Sequence, residues 1–177
     1  EPQAIALLMQ NSDNADLMTI AGWAQERGDY EQAQNLYSQV LKKEPGNTDA
    51  RLGQIETLIA SKQLPSARQQ LTQFTPAPGT PLTPSQQRRV ANAWAAVGEP
   101  EKAQAIYAQL LQSPQADPLM YRDAARLMSA REPQKALDYY AKSMAAAGLI
   151  TPEQGNPRDN RAMTMASREK DDDEWLA

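Results

Sequence analysis

The stretch NADLMTIAGWAQERGDYEQAQNLYSQVLKKEPGN, residues 14–47, decides the fold. Leu17-x2-Ile20-Ala21-x2-Ala24 reads as one helix with a small-residue face, and Ala33-x3-Tyr37 as a second. Between them lies Gly28-Asp29-Tyr30, a tight turn whose glycine suits the left-handed cap of a helix end. Pro45 closes the second helix.

Working outward, the Ala-x3-large pattern recurs at Ala67-x3-Leu71, Ala103-x3-Tyr107 and Ala136-x3-Tyr140, with steps of 34, 36 and 33 residues between the alanines. About 12 residues before each stands another small residue: Ala21, Ala91 and Ala124, with Ile55 at that place in the second unit and Gly53 nearby. Small residues at helix crossings let two axes approach, and the large residue fills the adjacent gap. A recurrence of about 34 residues resembles the tetratricopeptide repeat. The resemblance implies an all-α solenoid, a right-handed superhelix of helical hairpins. Its units are 14–47, 48–83, 84–116 and 117–147, with 1–13 as the end of a preceding unit and 148–177 as a linker with an acidic tail.

Helices are expected near 14–27, 31–43, 48–61, 65–74, 84–97, 101–112, 117–130 and 134–147. The third unit repeats the glycine turn as Gly98-Glu99-Pro100, after Val90-Ala91-x2-Trp94. The second and fourth keep its length as Lys62-Gln63-Leu64 and Arg131-Glu132-Pro133 but lose the glycine. Four prolines between Thr75 and Pro84 exclude helix there, and Pro84 or Ser85 starts the next one. Residues 1–10 fit the last turns of a preceding second helix, implying truncation of a longer array. Their Ile5, Leu8 and Met9 would then lack cover, so weak self-association is expected. A short helix is expected over Asn160–Arg168.

The composition narrows the chemistry. The 177 residues include no Cys and no His, which removes thiol nucleophiles, Ser-His and Cys-His catalysis, disulfides and His- or Cys-based zinc sites. Glycines are scattered and form no phosphate loop. No carboxylates form a recognisable catalytic pair, so no enzyme activity and no cofactor are expected. No stretch is long and apolar enough for a membrane span. The net charge of −4 is all in Glu169–Glu174, where five acids accompany Lys170, and the balanced remainder argues against nucleic-acid binding. That acidic run lacks the spaced ligands and the glycine of a calcium loop, so no metal site is expected.

Four further segments carry a closer resemblance: Tyr121-Arg122-Asp123-Ala124-Ala125-Arg126-Leu127; Pro133 to Tyr140; Asp159 to Thr164; and Asp171-Asp172-Asp173-Glu174-Trp175-Leu176. Together they resemble the bacterial cellulose synthase operon protein C family. The resemblance implies the C-terminal end of a periplasmic repeat array, anchored by an outer-membrane β-barrel through which cellulose leaves the cell. The implied role is a non-catalytic scaffold that positions the export pore. Its implied partners are other cellulose synthase complex subunits or cell wall, and the protein's own barrel. The alternative is a peptide-binding co-chaperone or adaptor module.

The concave face of such an array is lined by the first helix of each unit. Met18, Thr19, Gly22, Glu26, Leu52, Glu56 and Met128 are expected there. So are the candidate partner-binding residues Arg88, Arg89, Asn92, Tyr121 and Arg122. Arg88 with Asn92 supplies half of a carboxylate clamp, but Met18 and Gly22 hold the corresponding places in the first unit. The three arginines meet no acid on their own helices except Asp123, which is expected to face inward. Trp23 and Trp94 are expected in the core. Ala21, Ala33, Tyr37, Ala67, Ala91, Trp94, Ala103, Tyr107, Ala124, Ala136 and Tyr140 are the structural repeat positions.

Overall fold

The computed structural model describes residues 13–76, 79–113 and 116–149. The expectations for residues 1–10, for the helix at 160–168 and for the acidic tail with Trp175 fall outside the described residues. Eight α-helices lie among those described: α1 (Asn14–Glu26), α2 (Tyr30–Lys43), α3 (Thr48–Ala60), α4 (Leu64–Gln73), α5 (Pro84–Ala96), α6 (Pro100–Leu110), α7 (Pro118–Met128) and α8 (Pro133–Ala146). They fall within a few residues of the expected spans, and the described residues form no strand. The chain divides into two compact units, Glu1–Ile106 and Tyr107–Ala177.

Local chemistry starts the helices where they start. Asp13, Asp29, Asn47 and Asp117 each accept a hydrogen bond from a first-turn backbone N–H. Thr83 does the same and forms a reciprocal capping box with Gln86, with Pro84 as the first helical residue.

The turns inside the hairpins share one geometry. At Gly28 and Gly98 φ is +80° and +84°, and the following N–H reaches back to Ala24 O at 2.8 Å and Trp94 O at 2.9 Å. Lys62 adopts the same left-handed conformation without being glycine, at φ 64°, and Gln63 N–H closes on Leu58 O at 2.8 Å. The fourth turn is built differently. Arg131 and Glu132 both donate to Met128 O, and no residue there has positive φ.

In the first unit, Leu17, Ala21 and Ala24 of α1 pack with Ala33, Leu36, Tyr37 and Val40 of α2 and Ala50 of α3. A second cluster joins Leu52, Ile55 and Leu58 to Ala67, Leu71, Val90, Ala93 and Val97. In the second unit, Ala125, Met128 and Ala136 form a small cluster with Tyr139 against it.

Ala21, Ala33, Ala67, Ala91, Ala103, Ala124 and Ala136 are all buried, as are Tyr37 and Tyr107. Several expectations are corrected. Tyr140 is exposed, and Tyr139 supplies the packing aromatic instead. The reason is visible at Tyr37, which is buried against Gly53 of the following helix; no helix follows α8 among the described residues. Trp23 is 61% exposed rather than core. Trp94 is half-buried against the second cluster, with Lys102 Nζ 4.0 Å from its ring centroid. Leu52 and Met128, expected on the concave face, are both buried core residues.

Candidate functional site

A cleft of about 420 Å³ opens between α3 and α5, the first helices of two successive hairpins. Ile59, Ala60, Ala93 and Ala96 form its apolar lining; Glu56, Arg88, Arg89 and Asn92 supply the polar groups. Four residues placed on the concave face from sequence are thereby brought together.

Arg89 corrects the expectation of an unopposed basic face. Its Nε and Nη2 donate to Glu56 Oε1 and Oε2 at 2.7 and 2.8 Å, and Nη1 donates to Asp49 Oδ1 at 2.7 Å. The acids come from the neighbouring helix α3, which comparison along α5 alone does not reveal. Burial of the guanidinium acts to lower its pKa. The Glu56 hydrogen bonds and the charges of Glu56, Asp49 and Tyr37 outweigh that and hold the pKa above its ordinary value. Gln86 Nε2 also donates to Asp49, at 3.1 Å, so α3 and α5 are stitched by two side chains. The Arg89 fork is engaged in fixing the helix pair, and Arg88 and Asn92 supply the cleft's other basic and amide groups.

Behind this wall, Tyr37 Oη lies 3.4 Å and Thr57 Oγ 3.2 Å from Gln25 Oε1. Thr57 also donates to Gly53 O at 2.7 Å, which satisfies a fully buried hydroxyl. Burial first, and then the Glu56 charge, push the Tyr37 phenol pKa up, while Arg89 opposes them.

Tyr121 and Arg122 belong to the second unit, on α7. The Tyr121 ring meets Tyr139 at 6.3 Å between centroids, and Arg122 Nη2 lies 3.5 Å from Asp123 Oδ1. The Asp123 side chain is 9% exposed, facing inward as expected. The first hairpin does not complete a carboxylate clamp: Met18 packs against its core cluster, and Gly22 has no side chain. Among the described residues no group of His, Cys, Asp or Glu is arranged to hold a metal ion. No described helix is long and apolar enough to cross a membrane.

Helical hairpins with small residues at their crossings and a cleft between successive first helices make up an all-α tetratricopeptide-repeat fold. The tetratricopeptide repeat family model matches residues 24–78. A thermophilic tetratricopeptide protein from Thermus thermophilus, TTC0263, shares the fold with a TM-score of 0.66 at 20% identity, over 89% of this chain and 85% of its own. MamA protein follows with a TM-score of 0.53 at 15% identity, over 89% of this chain and 94% of its own.

Among curated proteins, the chain is 35% identical over 184 residues to cellulose synthase operon protein C of Escherichia coli K12. It is 37% identical over 185 residues to the protein of that name from Salmonella typhimurium. Each match covers 99% of this chain, and the chain spans 16% and 15% of those proteins. These matches bear out the resemblance carried by the motifs of α7, α8 and the C-terminal stretch.

Proposed function

We propose that this chain is a non-catalytic tetratricopeptide scaffold of a bacterial cellulose secretion system. It lies in the periplasm and holds protein or cell-wall contacts that position an outer-membrane export pore. The observation that carries the reading is the similarity over 99% of the chain to cellulose synthase operon protein C. The cleft between α3 and α5 supports a place for that contact. Its apolar lining takes an apolar side chain of a partner segment, while Arg88 and Asn92 meet that segment's carboxylate or carbonyl groups. Neutral glucan offers no charge to Arg88, which favours a protein or an anionic wall polymer as the occupant.

The test is an in-frame removal of residues 13–149 from the full-length protein in a cellulose-producing bacterium. The expected result is loss of exported cellulose while the membrane-embedded remainder still assembles at normal abundance. Undiminished export would overturn the proposal.

A further inference from the structure

A second pocket, of about 200 Å³, opens between α3 and α4, on a different face of α3 from the cleft shared with α5. Arg51, Gln54 and Ile55 of α3 line it, with Gln70 and Gln73 of α4 and the half-buried ring of Phe74 just beyond. Among these lining residues there is no carboxylate, and Arg51 alone is charged. Its guanidinium is tied to the backbone: Nη2 donates to Pro45 O at 2.8 Å, and Nη1 lies 3.5 Å from Thr75 O. Gln54 is held in place by a ring of bonds between α2 and α3. Its Nε2 donates to Ser38 Oγ at 2.8 Å, Ser38 Oγ donates to Gln34 O at 2.8 Å, and Gln34 Nε2 donates to Gln54 O at 2.7 Å. The Gln54 side-chain carbonyl is left to accept from an occupant. Gln70 and Gln73 make no side-chain hydrogen bond among the described residues, so each keeps two N–H donors and a carbonyl acceptor.

We propose that this pocket is a glycan subsite, which takes one hexose ring of a neutral polysaccharide with its hydroxyls on Gln54, Gln70 and Gln73 and a C–H face on Phe74. Sugar hydroxyls both donate and accept, as the glutamine amides do, and the faces of a pyranose ring are apolar enough to cover an aromatic ring. A metal ion would find no carboxylate here, and a peptide offers no apolar face framed by hydroxyls. The volume of about 200 Å³ is below the roughly 300–1,000 Å³ of a drug-sized site, so one ring is held while the rest of the polymer runs out into solvent. The inference concerns a site distinct from the α3/α5 cleft and stands whether or not the reading of that cleft does. A β-1,4-linked glucan and the N-acetylated glycan of a cell wall share this chemistry, and the test separates them.

The experiment titrates the isotope-labelled 177-residue chain with cellopentaose and, separately, with chitopentaose, and follows the side-chain amide signals by NMR. Saturable shifts of the Gln54, Gln70 and Gln73 amides are expected with one of the two sugars, at a dissociation constant on the order of 1 mM for a single bound ring. Cellopentaose assigns the subsite to glucan, chitopentaose to the wall glycan, and either result supports the proposal. Gln70→Ala with Gln73→Ala is expected to weaken binding severalfold at an unchanged melting temperature, and Phe74→Leu to weaken it while keeping an aliphatic side chain at that place. Gln73→Ala alone, at an exposed position, gives the same reading should the double variant melt lower. Arg88→Glu with Asn92→Glu, in the other cleft, is expected to bind the sugar as the parent does, so that the two sites are judged separately. The proposal is overturned by the absence of saturable shifts with both sugars, by shifts confined to other residues, or by glutamine variants that bind like the parent. Saturable shifts of the same amides with an uncharged acetylated tetrapeptide, and with neither sugar, assign the pocket to a peptide and overturn it as well.

Discussion

The ring of Tyr37 occupies the space that a Cβ on Gly53 would need. A Cβ built there lies 2.9 Å from Tyr37 Cε2 and closer still to Cζ and Cε1. Tyr37 is only 5% exposed, so its ring has no free direction in which to swing. Gly53→Ala gains about 0.5–1 kcal/mol of helix propensity and loses about 1–3 kcal/mol to overpacking. The expected net is a lower melting temperature. The double change Gly53→Ala with Tyr37→Leu is expected to recover part of that loss, which a double-mutant cycle measures.

Lys62 holds a backbone conformation that the equivalent turns assign to Gly28 and Gly98. A non-glycine residue there costs on the order of 1 kcal/mol. Glycine removes that cost but adds entropy to the unfolded chain. Lys62→Gly is expected to stabilise by a few tenths of a kcal/mol up to about 1 kcal/mol. Gly28→Ala is expected to destabilise by a similar amount, and thermal melts of the two variants check both signs.

The Arg89–Glu56 pair is bidentate, with side chains only 26% and 31% exposed. Exposed pairs contribute about 0–1 kcal/mol. This one is expected at about 1–2 kcal/mol in a double-mutant cycle of Arg89→Met and Glu56→Gln, because two guanidinium nitrogens engage the two Glu56 oxygens and the pair is partly desolvated. Arg89→Met alone is expected to cost more than Glu56→Gln, since it leaves both Glu56 and Asp49 without the guanidinium. Urea unfolding of the three variants gives the numbers.

The raised pKa of Tyr37 gives stability a definite pH dependence. The fold favours the neutral phenol, so this contribution is fully present below about pH 10, the ordinary tyrosine value. It is lost as pH rises through the higher folded-state value. Tyr37→Phe cannot ionise at that site. Its melting temperature is expected to fall less steeply than that of the parent between about pH 10 and the alkaline limit of folding.

Much of the fold was legible because helix period, small-residue crossings and turn residues act over short distances, and all eight described helices lie near their expected spans. What escaped depends on neighbours across repeats. Arg89 read as a groove cation because its acids are 33 and 40 residues away on another helix. The usable signal was there, since Glu56 and Arg89 both belong to the concave positions of successive first helices. Trp23 reads as core from helix phase and Tyr140 from the repeat pattern, yet both are exposed; at Tyr37, the repeat equivalent of Tyr140, the cover comes from Gly53 on the following helix. Leu52 and Met128 show the converse. Placed by phase on the groove face, they serve the cores of their own units.

The most direct test of the account is cellulose export by cells whose only copy of the full-length protein carries Arg88→Glu and Asn92→Glu. Both side chains line the cleft between α3 and α5. The purified double variant is expected to keep its helical circular dichroism and its melting temperature close to the parent's, with exported cellulose reduced severalfold. Parental export from a stably folded double variant would contradict the claim that this cleft is where the scaffold meets its partner.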